Sequence, residues 1–176
     1  MGTSEGTATA PLDLLVIAAS NGANLQLAQR FAAAAAAQGL ESRVVDLVAL
    51  DLPLFTPLAQ TAGTPPGVPA LQGQLAAAAR WVICAPEYNG SIPPVLTNAI
   101  AWLSVQGDDF RGLFNERPIA IASHSGGSGT TMLAALRLQL AHLGAHVVGR
   151  QALERGEESL ASSSLDDVLR RLLALR

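Results

Sequence analysis

The segment Pro86-Glu87-Tyr88-Asn89-Gly90-Ser91-Ile92-Pro93 gathers a carboxylate, a phenol, a carboxamide and a glycine between two prolines. Tyr88 can offer a flat ring and Asn89 both donor and acceptor groups. The backbone N–H groups of residues 87–90 could bind the carbonyl edge of a planar heterocycle. Pro93 and Pro94 suit the entry to a helix, with Ser91 a possible cap nearby, so a plain turn and helix start would use the same residues. A second group, Ser20-Asn21-Gly22-Ala23-Asn24, combines a glycine that permits close backbone approach with side chains that hydrogen-bond. If it opens a helix, the free N–H groups there favour a phosphate; equally, Asn24 could be no more than a cap. A third, Ser123-His124-Ser125-Gly126-Gly127-Ser128-Gly129-Thr130-Thr131, is rich in glycine and hydroxyls and either admits the edge of a ligand or connects flexibly.

Several chemistries do not fit the third group. No Gly-Lys-Ser/Thr ends it, so it is not a phosphate-binding P-loop, and Gly127-Ser128-Gly129 lacks the spacing of a dinucleotide glycine fingerprint. A nucleophile elbow needs Gly-x-Ser-x-Gly, and Thr130 stands where the final glycine belongs, which weakens an esterase built on Ser125 or Ser128. His124 could touch a ligand or serve the strand end alone. His142 and His146 have no cysteine or carboxylate at ligand spacing, so no metal site is expected.

The elements that must position these groups alternate in type. Leu14–Ala19, Ser42–Leu47, Trp81–Ala85, Pro118–Ser123 and His146–Gly149 read as strands. Residues 24–38, 68–79, 94–104, 128–143 and 164–175 read as helices. The runs Leu14-Leu15-Val16-Ile17-Ala18 and Ile119-Ala120-Ile121-Ala122 are apolar without alternation, as in strands buried on both faces. The pattern predicts a doubly wound α/β fold: a five-stranded parallel sheet in a three-layer sandwich. With strand order 2-1-3-4-5, the three loops follow β1, β3 and β4 and meet at the crevice where such folds bind ligands. Residues 56–69, rich in proline and glycine, read as a surface loop. The polar stretch from Gln151 to Ser164 reads as a loose connection or a surface covered by a second subunit.

With 176 residues, 49% of them hydrophobic, the chain suits one domain, 12–176, preceded by a flexible terminus, 1–11. A net charge of −3 and scattered arginines exclude the footprint of a nucleic-acid or anionic-membrane binder. The single cysteine, Cys84, falls in an expected buried strand and suits a reducing compartment. With no leader or spanning run evident, the expectation is a cytoplasmic protein.

Together the three loops resemble the NADPH-dependent FMN reductase family, the flavodoxin-like group that includes quinone, azo-dye and chromate reductases. The resemblance runs over roughly residues 12–150. It is carried chiefly by Pro86 to Pro93 followed by Leu96, Asn98, Ala99, Ile100, Trp102 and Leu103, and further by Asp51-Leu52-Pro53-Leu54-Phe55 and Ser123 to Gly129. The resemblance implies that Ser20, Asn21, Asn24 and Leu25 surround the FMN phosphate, and that Pro86, Glu87, Tyr88, Asn89 and Gly90 line the isoalloxazine. Ser123, Ser125, Gly126 and Gly127 would close its other side. It implies NADPH or NADH as co-substrate, a small-molecule acceptor such as a quinone or free flavin, ping-pong turnover, no catalytic side chain, and pairing into dimers or tetramers. Many members carry an arginine in a longer first loop; this loop is compact and has none. A flavin-binding electron carrier without reductase activity is the alternative, since fold does not determine activity.

Overall fold

The computed structural model describes residues 12–175; the expected flexible terminus, 1–11, lies outside them. The elements run β1 (Leu12–Ala18), α1 (Ala23–Ala37), β2 (Ser42–Asp46), α2 (Pro57–Ala62), α3 (Gly67–Ala77), β3 (Ala78–Cys84) and α4 (Pro94–Leu103). A 3₁₀ turn (Phe110–Leu113) follows, then β4 (Pro118–Ser125), α5 (Thr130–His142), β5 (His146–Val147), β6 (Ala152–Arg155) and α6 (Ser162–Leu173).

The strands pair in parallel in the order β2-β1-β3-β4-β5, as the alternation of elements predicts, with β6 also paired to β4. Two-residue periodicity divides their side chains between two cores. Leu15, Ile17, Trp81, Ile83, Ile119 and Ile121 face α3, α4 and α5; Leu14, Val16, Val82, Cys84, Ala120 and Ala122 face α1 and α6. The alanine run of α1 lets that helix lie close to the sheet around the fully buried Phe31. No helix among the described residues is long and apolar enough to cross a membrane.

Three expectations are corrected. Within the expected loop 56–69, residues 57–62 form α2, because Thr56 caps it through Ala59 N at 3.0 Å and Pro57 occupies the first turn. Strand β3 begins at Ala78, inside the stretch read as helix, because Ala78 pairs with Leu12; sheet pairing overrides the helical preference of alanine.

The third correction concerns the last strand, read as His146–Gly149 and followed by a polar connection. The ladder breaks after Val147 and resumes as β6, a sixth strand inside the supposed connection. Pro118 pairs with His146, whereas Ala122 pairs with Ala152, so two extra residues bulge from the edge. Arg137 of α5 fills the break, donating to Val148 O at 2.8 Å, Gly149 O at 3.3 Å and Gln151 Oε1 at 3.2 Å. Carbonyls freed from the ladder thus regain a donor.

Candidate active site

The loops after β1, β3 and β4 leave the same end of the sheet, and side chains join them. Asn24, on the first turn of α1 and only 2% exposed, donates Nδ2–H to His124 O at 2.9 Å and accepts from His124 N at 2.8 Å through Oδ1. Glu87 accepts from Met132 N at 3.1 Å, holding the third strand's loop against the amino end of α5. A carboxylate there also suits the helix dipole. The three loops are therefore one hydrogen-bonded unit.

Each loop leaves main-chain groups open. Gly22 caps α1 without a side-chain bond, and the first turn closes only through Leu25 N and Gln26 N to Gly22 O. The N–H groups of Ala23 and Asn24 precede any possible helical acceptor and can serve an anion. In the second loop, Tyr88 and Ser91 exchange backbone bonds of 3.1 and 3.0 Å around Asn89 and Gly90, whose φ values are 52° and 72°. This is the Asn-Gly hairpin with left-handed backbone at both central residues. It consumes the Tyr88 N–H, so of the donors expected across 87–90 that one is unavailable to a ligand. In the third loop, Ser125 Oγ accepts from Gly127 N at 3.2 Å. A Cβ placed on Gly127 would stand 3.7 Å from Glu87 Oε1, in the gap between the second and third loops.

The expected site residues fall into two sets. Asn21, Tyr88, Asn89, Gly90, Gly126 and Gly127 are exposed at the rim, and Ser20, Leu25 and Glu87 are half-buried beside it. Asn24, Pro86, Ser123 and Ser125 are buried. The amide of Asn24 is spent on His124 rather than turned to a phosphate, and Ser123 is fully buried with its Oγ lacking a protein partner. These residues support the loops from below. Ser123 Oγ lies 3.5 Å from where a Gly129 Cβ would be; Gly129 has φ 66° and presses against Leu153, so a side chain there would collide.

An ion cluster under the third loop was not foreseen. Glu154 of β6, 4% exposed, binds Arg30 of α1, His124 Nδ1 at 3.2 Å and Leu160 N at 2.9 Å. Burial pushes its pKa up; the Leu160 N–H, His124 and Arg30 outweigh that and hold the carboxyl below the usual carboxylate range. The sequence signal was the pair Ala152 and Glu154, two residues apart on one strand face. On the other side, Asn98 and Trp102 of α4 fasten residues 52–55. Asn98 accepts from Phe55 N at 2.7 Å and donates to Leu52 O and Pro53 O at 3.2 and 3.1 Å, while Trp102 Nε1 donates to Pro53 O at 2.7 Å.

Bare backbone edges opposite a ring-bearing turn, with an anion-favouring helix start beside them, suit a flat ligand that carries a phosphate. Residues 12–158 match the family model for NADPH-dependent FMN reductases. A curated relative, the probable NADPH:quinone oxidoreductase 2 of Oryza sativa subsp. japonica, is 37% identical over 94 residues, 52% of this chain. The match spans 44% of that relative's length. Among solved structures, the flavoenzyme NAD(P)H:(acceptor) oxidoreductase FerB of Paracoccus denitrificans superposes with TM-score 0.74 at 19% identity, over 93% of this chain and 98% of that one. An oxidoreductase of Corynebacterium diphtheriae gives 0.71 at 19% identity, over 95% and 97%. At these identities the likeness carries the fold alone.

Proposed function

Because this chain belongs to the NADPH-dependent FMN reductase family, we propose that it is an FMN-dependent oxidoreductase that takes electrons from NADPH or NADH and passes them to a quinone, free flavin or similar small acceptor. The observation that carries this reading is the stitching of three loops through Asn24–His124 and Glu87–Met132. It leaves open backbone on every side of one crevice.

The residues present fit FMN. No side chain occupies the space a Cβ would take at Gly22, Gly90 or Gly126, and residues 19–26 contain no acid to repel a phosphate. The first turn of α1 would hold the phosphate through the N–H groups of Ala23 and Asn24, with Ser20 and Asn21 alongside. Tyr88, Asn89 and Gly90 would lie along one side of the ring and Gly126 and Gly127 along the other. When bound, FMN supplies the two-electron redox chemistry, and no side chain need act as nucleophile or acid. The protein's part is to bind, orient and exclude water. Main-chain N–H groups fixed by the Asn-Gly turn are oriented before any charge develops on a ligand, and so stabilise it without reorganising.

The full reading includes a ping-pong order, in which the nicotinamide leaves before the acceptor enters the same crevice, and a cytoplasmic setting that suits the buried thiol of Cys84. It also includes self-association: Leu54 and Leu58 are 75% and 81% exposed on the surface near α4, a feature that favours a second copy there.

Absorption spectra and turnover test the reading. Freshly purified or FMN-supplemented protein should show visible flavin bands and oxidise NADPH in the presence of a quinone, with parallel-line double-reciprocal kinetics. A colourless protein that stays so with added FMN would falsify it.

A further inference from the structure

The positive charge of this chain is carried by arginine alone, and residues 19–29 contain none. Among the described residues, the fold directs most arginines away from the first loop. Arg43, Arg80 and Arg117 stand at or just before the amino ends of β2, β3 and β4, opposite the crevice. Arg111 donates to His142 O, Arg137 fills the break between β5 and β6, and Arg150, Arg170 and Arg171 gather on Asp167. Arg30 is engaged by Glu154 and Leu160 O, and Arg155 donates Nε–H to Ser128 O at 3.3 Å. His124 is different. Its main chain is tied by both bonds of Asn24 to the first turn of α1, and its ring, 22% exposed, bonds a buried carboxylate.

We infer that His124, held by Glu154, supplies to the FMN phosphate the positive charge that the first loop lacks. The inference rests on the FMN reading above and extends it to the residue that recognises the phosphate. Glu154 accepts at Nδ1, which assigns the ring's proton there and leaves Nε2 as the nitrogen that can protonate toward a ligand. The charged groups packed around the ring are Glu154 from β6 and Arg30 from α1, which already balance each other. Cys84 from β3 stays a neutral thiol, because burial and then Glu154 push its pKa far up. Glu87 is turned to α5, and Arg155 leaves β6 on the face opposite Glu154. A proton on His124 therefore makes the cluster net positive, and a phosphate dianion beside it favours that proton.

The prediction is proton uptake linked to the phosphate. Histidine's ordinary titration near pH ~6.5 leaves an imidazole largely neutral at pH ~7.5, where a phosphate monoester is almost fully dianionic. Calorimetric titration of flavin-free full-length protein with FMN, in buffers of different ionisation enthalpy at that pH, should show uptake of roughly half a proton or more per FMN. Riboflavin, which lacks the phosphate, should bind with none. His124→Gln should abolish the uptake and weaken FMN roughly tenfold, the worth of one charge-assisted contact, with riboflavin affinity unchanged. FMN binding without proton uptake in the unsubstituted protein, or unaltered FMN affinity in His124→Gln, overturns the assignment and leaves the FMN reading standing. Failure of both flavins to bind overturns that reading and this assignment together.

Discussion

Asn24 on α1 and His124 at the end of β4, 100 residues apart in sequence, exchange two hydrogen bonds of 2.9 and 2.8 Å between one buried side chain and one peptide unit. The bidentate fit fixes the rotation of the Asn24 amide and sets the spacing of the first and third loops at once. Asn24→Ala should cost about 2–3 kcal/mol, because a buried N–H and a buried C=O both lose their partner. Asn24→Asp keeps the acceptor for His124 N but loses the donor for His124 O. Urea unfolding should rank the two variants below the unsubstituted protein, and FMN affinity should fall in both.

The Glu87 carboxylate at the start of α5 acts through charge as well as geometry. Glu87→Gln can still accept from Met132 N and should cost less than Glu87→Ala, which removes the cap and should destabilise by about 1 kcal/mol. Equal losses in thermal unfolding would show that the charge and cap at this helix end contribute nothing.

Glu154 gives a pH signature. Its carboxyl is held below its usual range in the folded protein, so its stabilisation is present above the unfolded value near pH ~4.3 and is lost as pH falls through the folded value. Glu154→Gln leaves Arg30 without its buried counter-charge and should cost about 3 kcal/mol near neutral pH. The difference between variant and parent should shrink below pH ~4. A difference that stays constant from pH 7 to pH 3 would contradict the ion-cluster account.

Gly90 lies at φ 72° in the turn closed by Tyr88 and Ser91. A β-branched residue there opposes the left-handed backbone by about 1–2 kcal/mol, whereas asparagine tolerates it. Gly90→Val should therefore loosen FMN, read by fluorescence titration, and Gly90→Asn should do so far less. An unchanged dissociation constant in Gly90→Val would remove this turn from the site.

Asn98→Ala leaves Phe55 N, Leu52 O and Pro53 O without their partner. The expected result is faster proteolytic cleavage between residues 50 and 60, with a loss of about 1–3 kcal/mol in global stability. Trp102→Phe removes only the bond to Pro53 O and should have the smaller effect on cleavage.

The sheet was legible because its central strands are unbroken apolar runs, Leu14 to Ala18 and Ile119 to Ala122, and because such runs in parallel sheets must be covered on both faces. The Asn89-Gly90 turn was legible from residue type, since few residues accept its backbone. The inward roles of Asn24 and Ser123 were not. Both sit at strand or helix ends where a polar side chain suggests a ligand, and only burial reveals that one binds a distant peptide while the other faces the interior. Strand β6 and Glu154 escaped for a related reason. Their partners lie 124 residues away at Arg30 and 30 residues away at His124, and a polar segment carries no apolar periodicity to announce a strand.

The interrupted margin formed by β5 and β6 bears on how the protein behaves in a crowded solution. A long straight outer strand would present a row of amides on which a foreign strand could grow; here the row is two short pieces, offset by a kink and plugged by the Arg137 guanidinium. An incoming chain would lose its alignment within a few peptide units, so this side of the sheet resists fibrous self-templating by shape alone.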